Sequence, residues 1–182
     1  MELGGWFWSE KFFAHYKKRI IKLFQPHPEV VEMIKEKYAL LLTHPKTVGV
    51  HVRTFCHDGP DHAFVRLDWG YFRKAIQTFP RDAVFVVCSD DINSCKEHLG
   101  SLSKRRKIVF IENNPHYVDF YLLSICKHNI ISNSTFSWWA AYLNKNPKKT
   151  VICPSIWYKN RHISMKDLFP SGWTVLAWEQ YD

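Results

Sequence analysis

Short apolar runs alternate with longer stretches of helical spacing along most of this chain. The short runs are rich in Val and Ile, as buried strands are, and the stretches between them repeat apolar residues every three or four positions. This alternation predicts an open parallel sheet covered by helices on both faces, an α/β fold. The predicted strands are residues 47–52, 83–88, 107–112, 129–132 and 150–154, and the predicted helices between them are 68–79, 90–99, 116–128 and 135–145.

Two further helices are predicted before the first strand. Residues 9–24 can place Phe12, Phe13, Tyr16, Ile20 and Leu23 on one face, with Ser9 as the N-cap. The sequence Gln-Pro-His-Pro at 25–28 ends this helix, and a second runs from Pro28 to Leu42. We therefore expect residues 1–45 to form a helical segment that packs on an α/β domain of residues 46–182.

Composition narrows the class of protein. The 182 residues are enough for one domain with a core, and 46% of them are hydrophobic. No apolar run of about 18 residues is present, so no transmembrane helix is expected, and the start does not have the order of a signal peptide. The five scattered cysteines are an odd number and indicate a reducing, cytoplasmic location without disulfides. A peripheral position at the inner membrane surface is the alternative.

The net charge of +8 favours an anionic partner, but it does not choose between nucleic acid, an acidic membrane and a phosphorylated small molecule. The basic run 104–107 directly precedes a strand, and no nucleic-acid-binding motif accompanies it. Residues 56–62 contain Cys, His and Asp, yet no second ligand pair follows, so no metal is expected. Nucleic-acid binding remains one alternative function.

Polar side chains follow four of the predicted strands. His51 and Arg53 end the first strand, and Asp90 follows the second. Asn113 and Asn114 follow the third, and Ser132 to Thr135 follow the fourth. Because the carboxyl ends of parallel strands share one edge of a sheet, where ligands of such sheets bind, we expect the site there.

The segment Ile130–Leu143 carries a strand into a helix through small polar residues. The N-terminus of a helix leaves backbone N–H groups unpaired and carries partial positive charge, so this turn could cradle a phosphate. The hydroxyl groups of Ser134, Thr135 and Ser137 would add donors, and Trp138 and Trp139 would brace the helix against the sheet. Simple helix capping is the alternative. Glycine-rich phosphate loops are absent from the sequence.

Arg53 is the second candidate phosphate ligand. A guanidinium binds phosphate through two parallel hydrogen bonds and keeps its charge near neutral pH. His51, two residues earlier on the strand, points to the same side. A surface salt bridge for Arg53 and a buried structural role for His51 are the alternatives.

Several of these segments together resemble the α-1,2-fucosyltransferase family, glycosyltransferase family eleven. The segments that show the resemblance occur in the same order as in the family: GWFWSEKFF near the start, HVRTFC, DWGYFRKAI, FVVCSDD, SNSTFSWWAAYL and CPSIWY. The resemblance implies the Rossmann-like donor lobe of a two-lobed glycosyltransferase. It also implies inverting transfer of fucose from GDP-fucose to a galactose-containing glycan, without a metal and with no cofactor besides the donor.

Two departures from the family pattern stand out. The family's arginine motif is H-x-R-R-G-D, and here Thr54 and Phe55 occupy the positions of the second arginine and the glycine. Family members usually have about a hundred further residues before the SEKFF-like segment. We therefore expect that the acceptor lobe is missing, that a second chain supplies it, or that the chain is a remnant. A catalytically degenerate nucleotide-sugar-binding protein is the alternative function.

The resemblance assigns roles to individual residues. Arg53 would hold the β-phosphate of GDP, and Asp119 would accept the N–H groups of guanine. Asp90 or His51 would position the donor ribose or the loop backbone. The loop after Arg53 lies where an acceptor would approach and is the expected source of a general base; the alternative is an oxocarbenium-like transition state that needs little help from a base. The candidate bases are Asp58, Asp61, His57 and His62, and the residues expected around the phosphates are Asn133, Ser134, Thr135, Phe136 and Ser137.

Overall fold

The computed structural model describes residues 9–59 and 62–178. Six parallel strands form one sheet, and helices cover both of its faces, so the predicted fold class is confirmed. The strands are β1 Thr47–Val52, β2 Val84–Ser89, β3 Lys107–Phe110, β4 His128–Ile130, β5 Val151–Pro154 and β6 Thr174–Leu176. The helices are α1 Lys17–Leu23, α2 Pro28–Thr43, α3 Trp69–Gln77, α4 Ile92–Leu99, α5 His116–Ile125 and α6 Thr135–Leu143, and 3-10 turns occupy Glu10–Phe12, Ala14–Tyr16 and Gly100–Lys104.

The five predicted strands are confirmed, but β6 was not predicted. Its three residues, Thr174–Leu176, are mostly exposed, and they lack the continuous apolar run that marks the buried strands. β6 is in the sheet because its backbone pairs with β5 at the edge. Hydrogen bonding to a neighbour, rather than burial of side chains, defines this strand.

The helix predicted over 9–24 is interrupted. Ser9 caps its first turn by accepting from the Lys11 N–H, as expected, but Phe13 leaves the helical conformation with φ −141°. Its ring stacks on Trp139 with 5.3 Å between centroids, and Phe24 stacks on the same indole at 5.0 Å. The segment therefore bends so that two phenylalanine rings can enclose Trp139.

The two tryptophans of α6 have different roles. Trp138 is buried, and its indole N–H donates to the Leu168 carbonyl at 2.9 Å. Trp139 stacks with Phe13 and Phe24 of the N-terminal segment, and it also packs against the core cluster that contains Val151 and Cys153 of β5. The N-terminal segment thereby packs on the helix whose first turn lies at the predicted phosphate site.

Alternation along β1 divides the core between the two faces of the sheet. Val48, Val50 and Val52 pack with α3 and α4 on one face. On the other face lie Gly49 and His51. A Cβ atom at Gly49 would be 3.1 Å from the Leu123 side chain, so glycine here allows α5 to pack closely against the sheet.

The strand order β3-β2-β1-β4-β5-β6 places a topological switch point between β1 and β4. The chain leaves these two adjacent strands in opposite directions across the sheet, so a crevice opens outside their carboxyl ends. Arg53 follows β1 and the segment 131–135 follows β4. The two candidate phosphate ligands therefore lie on the two sides of the switch point.

Candidate functional site

A cavity of about 810 Å³ lies at the switch point. Its lining includes residues from the ends of β1 and β2, the first turns of α5 and α6, the loop around residues 55–64, and Tyr158 and Ile163. Nine of the thirteen predicted site residues line it: His51, Arg53, Asp58, Asp90, Asp119, Asn133, Ser134, Thr135 and Phe136. His57, His62 and Ser137 are not part of its lining, and Asp61 lies outside the described residues.

Arg53 is held between two carboxylates. Its Nη2 is 2.6 Å from Asp58 Oδ2, its Nη1 is 3.2 Å from Asp90 Oδ2, and its guanidinium lies 5.2 Å from the centre of the Phe55 ring. The salt bridge considered as an alternative for Arg53 is thus present, inside the cavity. About a third of the arginine side chain remains exposed, so an anion in the cavity could reach it.

Asp90 fixes the backbone that follows Arg53. Its two oxygens accept from the N–H groups of Thr54 and Phe55 at 2.8 and 3.1 Å. Of the two predicted alternatives for Asp90, positioning the ribose or the loop backbone, the free structure displays the loop contact. Phe55 has φ +56°, a conformation that glycine adopts without strain. The family motif has glycine at this position, and here the bonds from Asp90, together with one from Arg66 to the Phe55 carbonyl, hold a phenylalanine in it.

His51 is buried and electrically neutral. Its Nδ1 is 3.1 Å from Ser132 Oγ, and its ring lies 5.0 Å from that of Phe136. Burial lowers the pKa of His51 to about 4; the Asp90 carboxylate opposes this change and the Arg53 guanidinium adds to it. At neutral pH this imidazole can make hydrogen bonds to a ligand, but it adds no positive charge to the cavity.

The first turn of α6 exposes backbone donors. Ser134 is the N-cap, but its side chain makes no capping hydrogen bond. The first helical bond runs from the Trp138 N–H to the Ser134 carbonyl. The N–H groups of Thr135, Phe136 and Ser137 therefore precede the helical ladder, and they have no acceptor among the described residues. In the alternative, simple helix capping, the Ser134 side chain would accept a hydrogen bond from one of these N–H groups, and it does not.

Two predicted residues near this turn make internal contacts. The Ser137 hydroxyl donates to the carbonyls of Ser132 and Ser134, each at 3.1 Å. Asn133 is fully buried, and its amide nitrogen donates to the carbonyls of Val65 and Trp157. Both residues shape the turn that presents the amides, and only Asn133 also reaches the cavity wall.

Asp119 lies in the first turn of α5, where it is within reach of a ligand in the cavity. Its Oδ1 accepts from Asn114 Nδ2 at 2.8 Å. Burial raises the pKa of Asp119, while the Asn114 hydrogen bond, Lys37 and His116 act in the opposite direction. The side chain is thus a half-buried acceptor with one partner already in place.

Several cavity residues were not predicted. Phe64 and Tyr158 meet through an antiparallel bridge between two loops that are 94 positions apart, and their rings stack at 5.9 Å. No local sequence signal marks this contact. The sequence identifies Asn114 only as a polar residue at the end of a predicted strand. This position is the signal from which its contact with Asp119 could have been predicted.

No three His, Cys, Asp or Glu side chains in 9–59 and 62–178 come together as a potential metal-binding group. Across the same residues, no helix combines the length and apolar character needed to cross a membrane.

Comparison with known proteins places the chain in a family. The model of glycosyl transferase family 11 matches residues 3–177. An α-1,2-colitosyltransferase from Escherichia coli is 27% identical over 95% of this chain and 61% of its own length. The galactoside α-(1,2)-fucosyltransferase 2 of Rattus norvegicus is 37% identical over 74% of this chain and 41% of its own.

Among solved structures, fucosyltransferase NodZ from Bradyrhizobium aligns over 63% of this chain and 41% of its own, with 19% identity and a TM-score of 0.45. The chain spans about 40 to 60% of the length of the curated relatives named above. The family match covers nearly all of the chain, including every segment that lines the cavity. The chain is a member of glycosyl transferase family 11.

Proposed function

We propose that this chain binds GDP-fucose and transfers the fucose, with inversion, to a hydroxyl group of a galactose-containing glycan. The observation that carries the proposal is that Arg53 lines one cavity at the switch point of the sheet together with Thr135 and Phe136 of α6, whose N–H groups have no acceptor among the described residues. Membership of glycosyl transferase family 11 supports glycosyl transfer. The names of the relatives, which specify α-1,2 transfer of fucose or colitose, support the choice of sugar and linkage.

The proposed chemistry is a direct displacement at the anomeric carbon. The acceptor hydroxyl forms the new bond on the face opposite GDP, and the electron pair of the breaking bond goes to a β-phosphate oxygen. Stabilising the negative charge on that leaving group is the main electrostatic task. Arg53 and the N–H groups of Thr135 to Ser137 are suitable donors, because they can be arranged around an oxyanion before the reaction begins.

The acceptor proton needs a base, for which Asp58 and Asp61 remain the proposed candidates. In the free protein the Asp58 carboxylate is engaged by Arg53. Donor phosphates would compete with it for the guanidinium, and a released Asp58 could then accept the proton from the attacking hydroxyl. Asp119 would accept the N1–H and 2-amino groups of guanine, and Asp90 would keep the Arg53 loop in place.

The test is Arg53→Ala assayed for transfer from GDP-fucose to galactosides. Losing a charge-assisted phosphate contact should remove about 2–4 kcal/mol of transition-state stabilisation, which lowers kcat/KM roughly 30- to 1,000-fold. Arg73→Ala is the matched control, because Arg73 donates to the His98 carbonyl and does not line the cavity. Unchanged turnover in Arg53→Ala would remove Arg53 from the reaction.

A nucleotide-sugar-binding protein without catalysis is the second candidate. The pairing of Arg53 with two carboxylates and the threonine at position 54 favour it, since both reduce the positive charge available to a leaving diphosphate. Calorimetry that detects GDP binding, with no release of GDP from GDP-fucose in the presence of sugar acceptors, would select this candidate.

A further inference from the structure

Asn114 connects helix α2 to the carboxylate of Asp119. It lies in the loop between β3 and α5, and its Nδ2 donates to Asp119 Oδ1 at 2.8 Å and to the Tyr38 hydroxyl at 2.7 Å. Its Oδ1 accepts from Lys37 Nζ at 2.7 Å. Lys37 and Tyr38 belong to α2, which does not line the cavity. Three elements of the fold thus meet at one amide.

The chemistry of the partners determines which way this amide faces. An ammonium group can only donate hydrogen bonds, so Lys37 must meet the amide oxygen. A carboxylate can only accept, so Asp119 must meet the amide nitrogen. A flipped amide would oppose donor to donor at Lys37 and acceptor to acceptor at Asp119. Asn114 therefore has a single favourable orientation.

In this orientation Asn114 is the one hydrogen-bond partner of the Asp119 carboxylate among the residues that the structure describes. An ionised carboxylate offers about four lone-pair positions on two oxygens, and Asn114 occupies one of them. The free Oδ2, with the second lone pair of Oδ1, can accept two neighbouring N–H groups. The N1–H and 2-amino groups of guanine are such a pair on one edge of the base.

We propose that Asn114 is a positioning residue for base recognition, which holds the Asp119 carboxylate in the orientation that accepts both N–H groups of a guanine nucleotide. The inference rests on the proposed binding of a GDP-linked donor. It adds that guanine selectivity depends on α2, through Lys37, although this helix does not touch the cavity.

The ionisation of Asp119 gives an independent readout. Burial raises the pKa of its carboxyl group, and the Asn114 bond, Lys37 and His116 oppose that rise; the Cys88 thiol, whose own pKa Asp119 helps to raise, faces it from the sheet. Removing the Asn114 donor should raise the pKa of Asp119 further. Because a protonated Asp119 cannot accept two N–H groups, GDP binding in the variant should be lost at a higher pH as the solution is acidified.

The experiment is calorimetric titration of wild type and Asn114→Leu with GDP and with IDP, which lacks the 2-amino group. Asn114→Leu should bind GDP about tenfold more weakly, since a hydrogen bond that orients a charged group is lost. Its preference for GDP over IDP should also shrink, because only GDP uses both acceptors. The acid limit of GDP binding should move to higher pH.

Lys37→Met should also weaken GDP binding and reduce the preference for GDP over IDP, because the Asn114 amide loses the ammonium that orients it. Both effects should be smaller than those of Asn114→Leu. Lys35→Met is the matched control on the same helix, since Lys35 pairs with Glu32 and does not line the cavity. Wild type that binds no GDP would overturn the proposed function and this inference with it. Wild type that binds GDP, with an unchanged preference for GDP over IDP in Asn114→Leu, would overturn this inference alone. If Asn114→Leu does not fold, an unchanged preference in Lys37→Met overturns it.

Discussion

Arg53 is bound by the protein's own carboxylates at the place where a diphosphate is proposed to bind. Asp58 and Asp90 both lie within ion-pair distance of its guanidinium. Their roles differ, because Asp90 also accepts two backbone N–H groups and is mostly buried. The Asp58 side chain is a third exposed, and among the described residues its carboxylate bonds to Arg53 alone. Asp58 is therefore the carboxylate that a ligand could displace.

Asp58→Asn should bind GDP several-fold more tightly than wild type. The substitution removes a negative charge that competes with the phosphates for Arg53, and it leaves the loop contacts of Asp90 in place. The measurement is calorimetric titration with GDP. If Asp58 is also the general base, the same variant should transfer fucose more slowly, so affinity and turnover would change in opposite directions.

Asp82→Asn is the control for Asp58→Asn, because it makes the same change in net charge at an exposed ion pair with Lys46 that does not line the cavity. The GDP affinity of Asp82→Asn should be only slightly higher than that of wild type. An Asp58→Asn protein with GDP affinity equal to or weaker than that of wild type would show that Asp58 does not compete with the nucleotide.

At the scale of the element, helix α6 contributes its first turn to the cavity and its aromatic side chains to the packing of the domain. Trp138 enters the core, and Trp139 is enclosed by Phe13 and Phe24. The helix is thus held from two sides, while the N–H groups of its first turn have no acceptor within residues 9–59 and 62–178. A rigid helix with open donors is suited to binding an anion.

Thr135→Pro tests whether these backbone donors bind the nucleotide. Proline is well tolerated at the first position of a helix, and Ser134 already has the extended conformation that the residue before proline requires. The variant removes one N–H group and keeps the helix, so GDP binding should weaken by about tenfold. The comparison is with Thr135→Ala, which loses the side chain but retains the N–H group.

Equal GDP affinity in Thr135→Pro and Thr135→Ala would mean that this amide does not contact the ligand. A Ser134→Pro variant would be less informative. The Ser134 N–H already donates to the Ser132 carbonyl at 2.9 Å, so its removal would disturb the turn itself.

At the scale of the whole molecule, the buried imidazole of His51 makes the stability of the domain depend on pH. The pKa of His51 in the folded protein, about 4, lies below the ordinary histidine pKa of 6.5, so between these pH values the unfolded chain binds a proton that the folded chain does not. The stabilisation is complete above pH 6.5 and is lost as the pH falls towards 4. Its size is about 3 kcal/mol.

His51→Asn should remove this component, because an amide near the position of Nδ1 can still meet Ser132 but does not titrate. Denaturant unfolding at pH 7 and at pH 4 measures the effect. Wild type should lose about 3 kcal/mol more than His51→Asn between the two values. Equal losses in the two proteins would show that His51 is protonated without cost in the folded state.

Much of the candidate site was predictable from local sequence, because the polar residues that follow buried strands must lie at one edge of a parallel sheet. Arg53, Asp90 and the turn before α6 were found in this way, whereas Asp119 was predicted from the family resemblance; all of them line the cavity. The partners of these residues were not predicted. Lys37 and Asn114 are 77 positions apart, and no period or motif links them.

The sequence by itself determined the kind of elements, their order and the α/β class, because apolar periodicity is a local property and burial follows from it. Only the tertiary structure decided the strand order that sets β1 beside β4, the pairing of Arg53 with Asp58 and Asp90, and the contact of α2 with Asp119 through Asn114. The physical reason is that each of these depends on which distant segments meet when the chain folds. A charge or an amide in the sequence specifies what it can bind, and the fold specifies which partner is within reach.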